Sequence, residues 1–155
     1  MSHQCAILDQ AAQPTLSIRT RTSVQGLRQV LGQSYGAIAQ YLGELGEHPA
    51  GPPFAAYHNM DMANLDVEIG FPVPRKVPGR GNILAGEIPA GKYASCLYTG
   101  PYNEIGPGAY EALSAFVGQS GYEATGVSYE MYLNDPNETP PQELQTQVLF
   151  PLRTS

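Results

Sequence analysis

The sequence predicts an α+β fold built from two strand-helix-strand-strand units, an antiparallel sheet covered by two helices. The first observation behind this is that the chain matches itself. At an offset of 75, Tyr35 falls on Tyr110, Gly46 on Gly121, Gly51 on Gly126, Tyr57 on Tyr132 and Asn59 on Asn134. At an offset of 79, Ile69-Gly70-Phe71-Pro72-Val73 falls on Val148-Leu149-Phe150-Pro151-Leu152, the extra residues being absorbed by the Asn- and Pro-rich stretch after Asn134. The second is that apolar residues alternate in several short runs and recur at helical spacing in two longer ones. The third is the 17 Gly and 14 Pro among 155 residues, well above the roughly 12% of an average chain, which imply many turns.

The elements follow in order. Residues 1 to about 12 read as a loose lead-in, with a short added strand as the alternative. In TLSIRTR, Leu16 and Ile18 alternate with polar neighbours, as a half-buried strand requires. Leu27, Val30, Leu31, Tyr35, Ile38, Leu42 and Leu45 then recur at helical spacing, and Gly46 is placed to end that helix. FAAYHN and LDVEIGF supply two strands. PVPRKVPGRGN lacks periodicity and breaks the chain between halves, with the linker proper at 74–82. KYASCLY opens the second half, Tyr110, Leu113, Phe116 and Val117 mark its helix, and VSYEMYL and QTQVLFPL complete it. The half-repeats run over about 13–73 and 83–152 of a single domain, 1–155. Such a duplication implies a pseudo-twofold axis, with a ligand groove expected where the halves meet.

Eight Lys and Arg against 14 Asp and Glu give a net charge of −6. The basic residues are scattered, which argues against a nucleic-acid partner. No stretch is apolar enough for a membrane span, and the N-terminus lacks a signal-peptide pattern, so a soluble cytoplasmic protein is expected. Cys5 and Cys96 are far apart with no CxxC spacing, and they read as ordinary thiols in a reducing compartment rather than a disulfide framework. No metal site and no cofactor are expected. Gly32-Gln33-Ser34-Tyr35-Gly36 lies inside the first helical run and so makes no Gly-x-Ser-x-Gly elbow, Gly86 to Lys92 is followed by Tyr93 where a phosphate loop needs Ser or Thr, and there is no His-Glu-x-x-His, which disfavours serine esterase chemistry, nucleotide hydrolysis and zinc proteolysis.

The run Tyr129-Glu130-Met131-Tyr132-Leu133 is the first place to look for chemistry. Strand geometry sends Glu130 and Tyr132 to one face, and Tyr129, Met131 and Leu133 to the other. With the Tyr129 face packed under the helices, Glu130 would face the groove. A carboxylate among tyrosines attracts a cation, each ring face adding roughly 0.5–2 kcal/mol, and the same desolvation raises its pKa toward acid-base use. The alternative is a solvated glutamate on an open sheet face. Glu68 is the second candidate, opposite in face to Val67, Ile69 and Phe71; its repeat partner is Gln147, and Gly70 beside it, lacking a side chain, is expected to leave room for a ligand. Ten tyrosines with no Trp suit a wall that is apolar yet hydrogen-bonds. Tyr98, Tyr102, Tyr110 and Tyr132 are the candidate wall, with Tyr57 and His58 beside Glu68's strand; Tyr35 and Tyr110 also fit a core role. His3 and His48 have no evident partners. The glycines of Gly106-Pro107-Gly108 leave the exact start of the second helix open.

Five runs in order carry a family resemblance: Gly51-Pro52-Pro53-Phe54-Ala55-Ala56-Tyr57, Val67-Glu68-Ile69-Gly70-Phe71-Pro72-Val73, Pro89-Ala90-Gly91-Lys92-Tyr93-Ala94, Thr99-Gly100-Pro101-Tyr102 and Tyr129-Glu130-Met131-Tyr132-Leu133-Asn134-Asp135-Pro136. Over about 140 residues the chain resembles the gyrase-inhibitor-like (GyrI-like) effector-binding domain found in AraC-type and multidrug-responsive transcription regulators. The resemblance implies the duplicated fold, a pocket for small aromatic or cationic molecules, and Glu130 as the pocket carboxylate. No helix-turn-helix fits before the first strand, so a free-standing copy is expected. The resemblance leaves three functions open: stand-alone binding of small hydrophobic ligands, hydrolysis of cyclopropane-containing alkylating toxins with Glu130 or Glu68 as the catalytic acid or base, or inhibition of a partner such as gyrase.

Overall fold

The computed structural model describes residues 4–153, so His3 lies outside the described residues. In chain order the elements are strands β1 (Gln4–Gln10) and β2 (Gln13–Thr22), helix α1 (Leu27–Leu45), strands β3 (Phe54–Tyr57), β4 (Leu65–Pro72), β5 (Leu84–Ile88) and β6 (Gly91–Thr99), helix α2 (Glu111–Gln119), and strands β7 (Ser128–Tyr132) and β8 (Gln145–Pro151). A 3₁₀ turn at Tyr102–Glu104 and a π turn at Gly106–Tyr110 lead into α2. The fold is α+β. No helix of the described residues is long and apolar enough to cross a membrane.

The chain divides into two compact units, Ala12–Pro89 and the remainder. In the Ala12–Pro89 unit the strands pair antiparallel in the order β3-β4-β2-β5. Ile38, Tyr41 and Leu42 of α1 pack on Leu16 and Ile18 of β2 together with Val73, Val77 and Ile83. Of the expected helix positions Ile38 and Leu42 are buried and Leu45 is exposed, Tyr41 joins the buried stripe, and the helix ends at Gly46. Residues 74–82 lie against this helix: Val77 is in the core, the Tyr41 hydroxyl donates to the Pro78 carbonyl at 2.5 Å, and the Arg80 guanidinium stacks 4.4 Å from the Tyr41 ring centroid.

In the other unit the antiparallel order is β1-β6-β8-β7. Leu113 and Val117 of α2 pack on Ala94, Cys96, Tyr98, Val148 and Phe150. The loose lead-in gives way to its alternative, since β1 pairs along its length with β6. Its run Cys5-Ala6-Ile7-Leu8 has the apolar content of a strand, with Cys5 and Ile7 packed on the core. β5 is a further addition, and its residues Leu84 to Glu87 are exposed with only Ile88 buried. An edge strand of that kind has no alternating pattern to betray it.

Gly70 serves packing rather than ligand space. A Cβ there would run into the carbonyl oxygen of Leu16 and lie 2.9 Å from Ser17 Cα and Cβ, so the neighbouring strand fills the room that was expected beside Glu68. Those atoms belong to a backbone that cannot yield cheaply. Gly70→Ala should therefore destabilise by about 3 kcal/mol or more, at or beyond the upper end of ordinary overpacking, as read from a urea unfolding midpoint, while Gly36→Ala, on open helix surface, should leave it within about 1 kcal/mol of wild type.

Candidate functional site

Glu130 lies mid-strand in β7 with only 8% of its surface exposed. The register decides which way it points. Glu130 faces Val148 on β8, and Val148 faces Cys96 on β6. Directly opposed residues share a face, and both Val148 and Cys96 belong to the cluster under α2. Glu130 and Tyr132 therefore occupy the helix-covered face, and the expected orientation is reversed. Tyr129 takes the other side, its ring centroid 6.2 Å from that of Tyr93.

The helix side supplies the partner. In the π turn the Glu111 amide bonds to the Gly106 carbonyl, and Gly108 seats this turn directly on Tyr98: a Cβ there would lie 2.5 Å from Tyr98 Cε1. The turn ends at Tyr110, whose ring meets Phe150 edge-on at 5.5 Å and whose hydroxyl donates to Glu130 Oε2 at 2.5 Å. Tyr132 donates to Oε1 at 2.9 Å, and its ring meets that of Tyr102 edge-on at 5.6 Å. The Tyr110 hydroxyl also lies 3.2 Å from Ser128 Oγ; because its single proton goes to Glu130, Ser128 is the donor there. Tyr110 is at once a core ring and a site hydroxyl, which reconciles its two expected roles.

Among the described residues no Lys, Arg or His pairs with Glu130. Burial disfavours its charged form and raises its pKa above the usual carboxylate range, while the hydrogen bonds from Tyr110 and Tyr132 pull the value partly back. One row along the same face, Tyr132, Thr146 and Tyr98 lie side by side on β7, β8 and β6. Thr146 is fully buried, and its hydroxyl has no hydrogen-bond partner among the described residues. Tyr98 donates to the Pro101 carbonyl at 2.8 Å and helps line a recess of about 490 Å³ with Gly100, Pro101, Glu104, Gly108 and Gln142. Glu130 is not part of that lining; Tyr98 is what joins the recess to the buried row.

The other expected acid has different surroundings. Glu68 is on the face of its unit away from α1, where Ser17 Oγ donates to Oε2 at 2.8 Å and His58 Nε2 lies 3.1 Å from Oε1. Arg19 grips the nearby Asp66 with two bonds of 2.8 and 3.0 Å, holding that carboxyl below its ordinary pKa. Both Glu68 oxygens are occupied by polar partners at a half-buried position. Tyr57, one residue before His58, is buried at 7% exposure. Ser128 and Thr146 were not anticipated. Ser128 was within reach of the sequence, two residues from Glu130 on the same strand face; Thr146 depends on the β7–β8 register, which no local pattern encodes.

Tyr110→Phe removes the shortest hydrogen bond to a buried carboxylate and should destabilise by about 1–3 kcal/mol, with the Glu130 pKa rising further, measured by chemical unfolding and by carboxyl NMR titration. The folded-state pKa of Glu130 is raised above its unfolded value. Its neutral form thus favours the fold at low pH, and that advantage is lost as pH rises from the ordinary carboxylate value through the raised one. Glu130→Gln should remove this decline, so that its stability relative to wild type improves between pH 4 and pH 7 in unfolding midpoints taken across that range.

Comparison with solved structures finds the same fold. The EcmrR C-terminal domain matches with a TM-score of 0.86 at 23% identity, covering 100% of both chains. In a structure of EcmrR with DNA, this chain spans 58% of the EcmrR chain, with a TM-score of 0.84 at 23% identity over 99% of this one. A hydrolase from Listeria innocua matches at 0.72 and 18% identity, over 97% of this chain and 92% of that one. SAV2435, solved with tetraphenylphosphonium bound, matches at 0.62 and 11% identity, over 99% of this chain and 94% of that one. Comparison with functionally curated proteins gives no significant match. A family model matches residues 3–153, and the chain belongs to the GyrI-like small molecule binding domain family.

Proposed function

We propose that the chain binds small aromatic cations, with Glu130 as counter-charge, Tyr102, Tyr110 and Tyr132 as the surrounding wall, and Tyr98 at the approach. The observation that carries this is the buried carboxylate of Glu130, held by two tyrosine hydroxyls with no cationic side chain paired to it among the described residues. A buried carboxylate without a partner is costly, and it is relieved either by taking up a proton or by a cation arriving from outside. Tyrosine rings favour the second when the cation is aromatic or lipophilic, because they offer both ring-edge packing and a negative face. The Thr146 hydroxyl, one row away and without a hydrogen-bond partner among the described residues, adds a polar contact that such a ligand can complete.

The internal repeat supports a functional rather than a structural role for the acid. If the halves arose by duplication, the offset that pairs Tyr35 with Tyr110 and Tyr57 with Tyr132 pairs Glu130 with Ala55, which is fully buried. In that half the Tyr35 hydroxyl bonds to the Phe54 carbonyl at 2.7 Å and needs no carboxylate. Tetraphenylphosphonium, the ligand bound in the structure of the neighbour SAV2435, has the chemistry expected of a ligand here. Glu68, already bonded to Ser17 and His58, is assigned a secondary role.

A second reading, hydrolysis of a cyclopropane-bearing alkylator, draws support from the raised pKa of Glu130 and the two hydroxyls beside it. The neutral acid would give its proton to the substrate carbonyl oxygen while water oxygen bonds to the strained ring carbon, the electron pair of the opening ring bond passes toward that carbonyl, and the proton released by the water returns to the Glu130 carboxylate. Tetraphenylphosphonium should bind wild type at least about tenfold more tightly than Glu130→Gln, a difference of about 1.4 kcal/mol by titration calorimetry. Equal affinity for both proteins contradicts the binding reading. Appearance of a product heavier by one water, catalytic in protein and lost in Glu130→Gln, would favour the hydrolase instead.

A further inference from the structure

Cys5 and Cys96, far apart in the chain, are neighbours in the fold. Cys5 on β1 directly faces Cys96 on β6 in an antiparallel ladder. Opposed residues in such a ladder have Cα atoms about 4.5–5.5 Å apart, inside the window of about 4.4–6.8 Å that a disulfide spans. Cys5 packs against the cluster that contains Cys96. Both are free; Cys5 is half-buried and Cys96 fully buried. β1 stands at the edge of the sheet order of its unit, held there through β6.

We propose that Cys5 and Cys96 are a redox modification site, closing to an intramolecular disulfide under mild peroxide oxidation and so stapling β1 to β6. Burial, and after it the Cys5 thiol, pushes the Cys96 thiol up to about 12, so the accessible Cys5 meets the oxidant first. Its sulfur attacks one peroxide oxygen, the O–O bond breaks, and Cys5 sulfenic acid and one water result. Cys96 sulfur then bonds to Cys5 sulfur, the S–O bond breaks, and the hydroxyl leaves with the Cys96 proton as a second water. Two thiols lose two electrons and one peroxide is reduced to two waters. Cys96 shares its row with Val148 and Glu130, so the staple anchors to the same row as the candidate site without depending on that site's function.

The test treats the reduced, full chain with hydrogen peroxide, blocks remaining thiols with iodoacetamide under denaturing conditions, and maps the peptides by mass spectrometry. The expected product is a single Cys5–Cys96 linked peptide, lighter by two hydrogens than the sum of its reduced parts, lost on dithiothreitol treatment and missing from Cys5→Ser, with slower amide exchange across β1 in the oxidised chain. Both cysteines emerging alkylated, Cys5 halting at sulfinic acid, or links only between two chains would each overturn the proposal. A linked peptide without slower exchange in β1 would overturn the stapling role.

Discussion

The hydrogen bonds from Tyr110 and Tyr132 to the buried carboxylate of Glu130 are the constraint around which one unit of this protein is arranged. A carboxyl group removed from water keeps a charge only if nearby donors replace its hydration. Two hydroxyls supply part of that replacement, at 2.5 and 2.9 Å, and burial still outweighs them. The result is a carboxyl group whose neutral form burial favours. Family membership makes small-molecule binding the general role, and in the proposal made above Glu130 supplies its counter-charge.

The surrounding structure serves this arrangement. Tyr110 reaches Glu130 because the π turn ends over β7, and the turn sits there because Gly108 lets it rest on the ring of Tyr98. Phe150 and Val148 supply the apolar floor that excludes water around the acid. π turns recur at functional sites for this reason: a widened turn re-aims one side chain without interrupting the helix that follows. In the Ala12–Pro89 unit the tyrosine of α1 ends on a backbone carbonyl instead. Its β4 carboxylates Glu68 and Asp66 face away from the helix into a polar group of Ser17, His58 and Arg19. Two similar strand-and-helix frames thus carry opposite chemistry on their helix-facing sides.

Much of this was legible in the sequence, and the limits were physical. Period-2 spacing placed Glu130 with Tyr132, and helical spacing placed Ile38 and Leu42 on the buried stripe of α1. Alternation defines two faces of a strand without saying which of them a helix covers, so the direction of Glu130 had to come from its register with Val148. Register likewise hid Thr146 and the adjacency of Cys5 to Cys96, since pairing between strands is set by tertiary contacts. The edge strand β5 exposes most of its residues and leaves no periodic trace. Gly70 was read as space for a ligand because a missing side chain looks the same in sequence whether a ligand or a neighbouring backbone fills it.

The most direct measurement is an NMR titration of the Glu130 carboxyl carbon, alone and with saturating tetraphenylphosphonium. A pKa above the ordinary glutamate value of about 4.3 in the free protein, falling when the cation is present, is what a desolvated acid awaiting a positive ligand requires. An ordinary value that the cation leaves unchanged would contradict the account.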